Sequence, residues 1–158
     1  MENQYTSTFN RYVCVGDCIE TKPDGRGIYF RARIEFDDST DAPDERQDGF
    51  WPNTNPESAG YVEPENYQAE SEKAHRVMKA WKNDEWFYCG VVISVHGEFA
   101  GCDICFDKHA ASLWGIEANY PDSDNSYLTE VANELLGEAM DVADKLIDAI
   151  ADKINQDD

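Results

Sequence analysis

Residues Ile28 to Phe36 alternate without interruption: Ile28, Phe30, Ala32, Ile34 and Phe36 fall on one side, Tyr29, Arg31, Arg33 and Glu35 on the other. A period of two belongs to a strand with one buried face. Tyr12 to Glu20 reads as its partner, joined through Lys22-Pro23-Asp24-Gly25-Arg26-Gly27, whose Pro, Asp and Gly supply turn dihedrals. Trp86 to Val95, rich in aromatic and β-branched residues, and Phe99 to Asp107, alternating through Ala100, Cys102, Ile104 and Phe106, predict a second hairpin that turns at His96-Gly97-Glu98. A further strand is expected at Ala111 to Glu117. The period changes twice. Ala74, Val77, Met78 and Trp81 recur at i, i+3, i+4 and i+7, predicting a short helix over about 69–82 whose other face carries Lys73, Arg76, Lys79 and Lys82. From Tyr127 to Ile154 a helical pattern places Leu128, Leu135, Ala139, Val142, Ala143, Leu146, Ala149 and Ile150 on one broad face, with Ser126 suited to the N-cap.

These elements predict one α+β domain over residues 1–158: a mostly antiparallel sheet of about five strands, packed against a long C-terminal helix and a short middle helix. Residues 37–68 hold four of the six prolines and show no sustained period. They are expected to form a long acidic loop punctuated by Phe50, Trp51, Tyr61 and Tyr67.

Charge changes this picture from a generic small domain to one with a direction. The chain carries 33 Asp and Glu against 13 Lys and Arg, for a formal charge of −20. The excess is blocked: residues 34–72 hold 12 acids and one base, and residues 97–158 hold 15 acids and three bases. With 41% hydrophobic and 12% aromatic residues the chain still has the material for a core, so an acidic disordered tail is excluded. Direct binding to nucleic acid or to an anionic membrane is disfavoured, because both need Lys and Arg to neutralise phosphate. The expected partner is a basic protein surface, and the features are compatible with a homodimer. The N-terminus MENQYTSTFNRY lacks the basic and apolar regions of a signal peptide, and no apolar run reaches membrane-spanning length, so a cytoplasmic protein is expected.

On the predicted C-terminal helix, Glu130, Glu134, Glu138, Asp141, Asp144, Asp148 and Asp152 share an arc opposite the apolar face. Like charges at i, i+4 each cost a few tenths of a kcal/mol, and the last three also oppose the helix dipole. From Glu130 to Asp152 the stripe spans about 33 Å at helical rise, against a repeat of about 34 Å for a turn of B-DNA. Its charge density, about one per 5.5 Å, is below that of a DNA strand, so Asp37, Asp38, Asp41, Asp44, Glu45 and Asp48 would supply the remainder if they fold alongside it. The plain alternative is a solvated outer face. Gly137, in mid-helix on that side, would let a partner approach closely.

Other chemistry is weakly signalled. Cys14-x3-Cys18 and Cys102-x2-Cys105, with Cys89 and His109, have zinc-like spacing, but the second pair would point to opposite faces of a strand. Asp122 to Ser126 opens like a calcium loop, yet Tyr127 stands where Gly is needed and Asn133 where Glu is needed. Cys89 with His96 or His109 is a nucleophile and base without geometry. The expectation is a protein with no metal, no cofactor and no enzymatic activity.

In size, in its −20 charge and in the carboxylate-striped helix of residues 130–152, the chain resembles the small acidic proteins of phages and mobile elements that inhibit host defence, including DNA-mimicking antirestriction proteins and some anti-CRISPR proteins. That resemblance implies a non-enzymatic inhibitor. It would bind a basic nucleic-acid-binding protein or nucleoprotein complex of the host, in the host cytoplasm if phage-encoded. Against it stand an accessory module of the same origin that binds through an aromatic patch such as Phe50, Trp51 and Tyr61, and an ordinary halophilic domain.

Overall fold

The computed structural model describes residues 2–156. Its elements are β1 (Cys18–Glu20), β2 (Ile28–Phe36), α1 (Pro43–Arg46), α2 (Tyr67–Lys82), β3 (Phe87–Phe99), β4 (Cys102–Ala118) and α3 (Ser126–Gln156). The strands form one antiparallel meander in the order β1-β2-β3-β4, and α3 packs across β2, β3 and β4.

The alternation of Ile28–Phe36 becomes β2 with the expected bounds, its Ile28, Phe30, Ala32 and Ile34 buried in the core. Cys89, Val91, Ile93 and Val95 of β3 join them, and Leu128, Ala132, Leu136, Ala139 and Ala143 of α3 close over both. Three alanines on that seam let the helix sit close to the sheet. Val92, Ser94 and His96, on the opposite side of β3, are buried as well, so this strand is covered on both faces, and its two polar residues there bond to each other.

The sheet has four strands rather than about five. Cys102 to Asp107, the larger part of the expected Phe99–Asp107 strand, and Ala111 to Glu117 belong to one strand, β4, which stays paired to β3 through register shifts opposite Gly90 and Ser94 and around Val95–His96. Bulges disguise such a strand as two, because each extra residue resets the alternation. The β3–β4 turn falls at Ala100-Gly101, both at positive φ, and not at His96-Gly97-Glu98.

Only Cys18–Glu20 of the expected 12–20 strand is regular. The preceding backbone is claimed by side chains instead: Val13 N–H donates to Asn119 Oδ1, Phe9 N–H to Thr129 Oγ1 and Gln4 N–H to Asn133 Oδ1, while Tyr5 Oη donates to the Ala132 carbonyl. This irregular strap covers one flank of α3. It turns the buried centre of the helix onto Leu136, leaving Leu135, Val142 and Leu146 half-buried. Ala149 and Ile150, expected in the core, are exposed in the last turns of α3.

The 37–68 stretch is not a loop without structure. It contains α1, a short parallel bridge between Asn53 and Tyr61, and a 3-10 turn at Pro64–Asn66 that leads into α2. Helix α2 buries Ala74, Val77 and Met78 and exposes Lys73, Arg76, Lys79 and Lys82.

Candidate interaction surfaces

Helix α3 runs 31 residues, about 46 Å at 1.5 Å per residue. Glu130, Glu134, Glu138, Asp141, Asp144, Asp148 and Asp152 are all exposed along it, opposite the seam of Leu128, Ala132, Leu136, Ala139 and Ala143. The amphipathic period therefore produces a continuous line of carboxylates facing away from the sheet. Among the described residues only Asp144 of the seven makes an ion pair, 3.1 Å from Arg26 Nη1 in the β1–β2 turn. Both partners are well exposed, so that pair contributes little to stability.

The acidic loop does not lie alongside this line. Cys89 faces α3, so Tyr88, one residue earlier on β3, faces away from it, and Arg46 stacks its guanidinium 4.7 Å from the Tyr88 ring centroid. Arg46 Nη1 also donates to the Gly115 carbonyl at 2.8 Å. Helix α1, with Asp44 and Glu45, is thus clipped to the sheet face opposite α3. Asp38, Asp41, Glu45 and Asp48 are exposed there and Asp44 is half-buried. The expected single surface is corrected to two, separated by the thickness of the sheet.

Asp37 leaves the docking set altogether. It is 6% exposed. Its carboxylate accepts from Ser39 N–H and Oγ, from Thr40 Oγ1 and, at 2.8 Å, from Gly115 N–H. Burial alone would raise its pKa, but the hydrogen bonds from Ser39, Thr40 and Gly115 outweigh it and hold the carboxyl below its ordinary value. Its job is structural: with Arg46 it clasps both polar groups of one bulged residue of β4. Nothing in the sequence distinguishes Asp37 from its acidic neighbours except the Ser39 and Thr40 that follow, the pattern of an Asx-type turn.

Of the aromatic patch, Phe50 faces the interior of this end of the molecule, while Trp51 and Tyr61 remain exposed. Phe50 packs with Val77, Trp86 and Tyr88 and meets Trp51 edge-on at 5.0 Å, and Trp51 lies 4.7 Å from the His75 ring. Tyr61 lines a cavity of about 240 Å3 between this segment and α2. These residues fasten residues 47–62 onto α2.

The thiol and histidine chemistry is dispersed. Cys89 is fully buried on the α3 side of β3, and burial pushes its thiol up to about 12. His96, seven residues along the strand, faces the other side, where its Nε2 lies 2.7 Å from Ser94 Oγ and its ring stacks on Tyr29. His109 lies there too, with its Nε2 3.3 Å from Arg33. Cys89 therefore has neither histidine beside it. Among the described residues no three His, Cys, Asp or Glu side chains gather to hold a metal ion, and no helix is long and apolar enough to cross a membrane.

The architecture defines an α+β protein in which one long helix presents its acidic face outward from a four-stranded meander. Comparison with protein-family models, curated proteins and solved structures finds no match to the chain.

Proposed function

We propose that this protein is a non-enzymatic acidic inhibitor whose α3 carboxylates occupy the basic nucleic-acid-binding surface of a host defence complex, a CRISPR effector or restriction enzyme, and so block DNA binding. The observation that carries this reading is the exposure of all seven stripe carboxylates on one face, with only Asp144 of them in an ion pair among the described residues. Opposed to clustered Lys and Arg, such a line gives long-range steering and an association that weakens with salt. The line resembles one strand of a duplex rather than two, because the second acidic block lies across the sheet. Glu130, Glu134, Glu138, Asp141, Asp148 and Asp152 are the contact residues, with Asp144 at the margin.

Capture from a bacterial lysate tests it. At about 50 mM salt a nucleic-acid enzyme should be retained and released by added duplex DNA, and at about 500 mM it should be lost. Partners that survive high salt and ignore DNA would contradict the reading.

A further inference from the structure

Two residues of β4, Trp114 and Gly115, stand opposite the single Gly90 of β3, since Val91 pairs with Leu113 on one side and Cys89 with Ile116 on the other. This bulge throws Trp114 onto the sheet face away from α3. A Cβ built on Gly90 would lie 2.3, 2.6 and 2.6 Å from Cε3, Cδ2 and Cζ3 of the indole. Three consecutive ring atoms at nearly equal distance mean that the ring lies face-on over the Gly90 backbone. With that face against Gly90, the 42% of Trp114 that is exposed lies on the rest of the ring.

The surroundings hold that pose. Gly115 sits at φ +72°, where a side chain is strained, and its N–H and C=O are clasped by Asp37 and Arg46. The indole Nε1–H donates to Ser112 Oγ at 3.1 Å. A buried carboxylate, an arginine and two glycines are thus committed to fixing one exposed aromatic ring, which is the reverse of a tryptophan sheltering in a core.

The charge around the ring selects what fits it. Glu117 lies three residues beyond Trp114 on β4, and Asp44 and Glu45 are on α1, which Arg46 holds against Gly115; Glu35, the β2 neighbour of Gly90, is taken up by Arg33. The local cations are already engaged, Arg33 with Glu35 at 2.7 Å and Arg46 with Gly115 and Tyr88. We propose that Trp114 is a docking platform for an arginine side chain of a basic protein segment, the guanidinium stacking on the exposed part of the indole while its N–H groups reach the flanking carboxylates. Arginine suits the site better than lysine because it can stack and donate in plane at once. The platform lies on the opposite side of the sheet from α3, so it stands whether or not the α3 reading does.

A blocked Gly-Arg-Gly-Arg-Gly peptide and its lysine counterpart, titrated into the intact protein at low salt and followed by the indole N–H resonances, test the proposal. The Trp114 resonance should move most, arginine protons should shift upfield, and the lysine peptide should bind more weakly. Trp114→Leu should weaken arginine-peptide binding about five-fold, as loss of an exposed cation–π contact implies. Asp44→Lys with Glu45→Lys, which leaves the platform in place, should weaken it as well. Reversing Glu134, Glu138, Asp141 and Asp148 to Lys should leave the Trp114 shift intact. Binding that leaves the Trp114 resonance unmoved, or that is equal in Trp114→Leu with an unchanged thermal midpoint, would overturn it.

Discussion

The carboxylate of Asp37 and the guanidinium of Arg46 converge on Gly115, and this small clasp fixes the acidic segment to the sheet. Asp37 accepts four hydrogen bonds at a nearly buried position, so Asp37→Asn should cost about 2 kcal/mol, read as a lowered thermal midpoint. Its depressed pKa sets the pH dependence. The folded protein binds a proton at Asp37 less readily than the unfolded chain, so the stabilisation is fully present above the unfolded value of about 3.9. It is lost as pH falls through the lower folded value. A thermal-midpoint series into acid should therefore fall less steeply below about pH 4 in Asp37→Asn than in the wild type. Parallel curves would mean that Asp37 does not carry the clasp.

Which residues could be read in advance depended on whether their neighbours in space were also neighbours in sequence. The period of Ile28–Phe36 and that of α3 are local, and both elements appear with nearly the expected bounds. Bulges near Gly115 and at residues 107–110 broke the period of β4 and made one strand look like two. The strap before β1 escaped because its backbone groups bond to Asn119, Thr129 and Asn133, more than 100 residues away, and no local pattern announces such partners. For the same reason the α3 stripe was legible, whereas the placement of Asp37 to Asp48 across the sheet was not.

Within α3, Gly137 lies on the exposed side, and a Cβ there would meet nothing within 4 Å. Gly137→Ala should stabilise the protein by about 1 kcal/mol, the ordinary helix-propensity difference, measurable as a raised denaturation midpoint. If the glycine also admits a partner closely, the same variant should bind the captured target more weakly while being more stable. Equal binding would reduce Gly137 to a solvent-facing position. The carboxylate line carries the opposite trade: Asp144, Asp148 and Asp152 repel one another at i, i+4 and oppose the helix dipole, a cost to the helix that the exposed Asp144–Arg26 pair offsets only in small part.

At the scale of the whole molecule the −20 charge is divided between two sides of one sheet. The α3 carboxylates line one side, and Asp38 to Asp48, on the segment that Arg46 clips to Gly115, lie on the other. A basic target that wraps the protein could meet both, whereas a flat one could meet only one. The most direct test of the central claim is the four-site reversal Glu134→Lys, Glu138→Lys, Asp141→Lys and Asp148→Lys, assayed for inhibition of DNA binding by the captured enzyme. The account predicts that inhibition is abolished while the thermal midpoint stays unchanged or rises, because removing like-charge repulsion along α3 stabilises the helix. Full inhibition by the folded variant would contradict it and take the α3 face out of the mechanism.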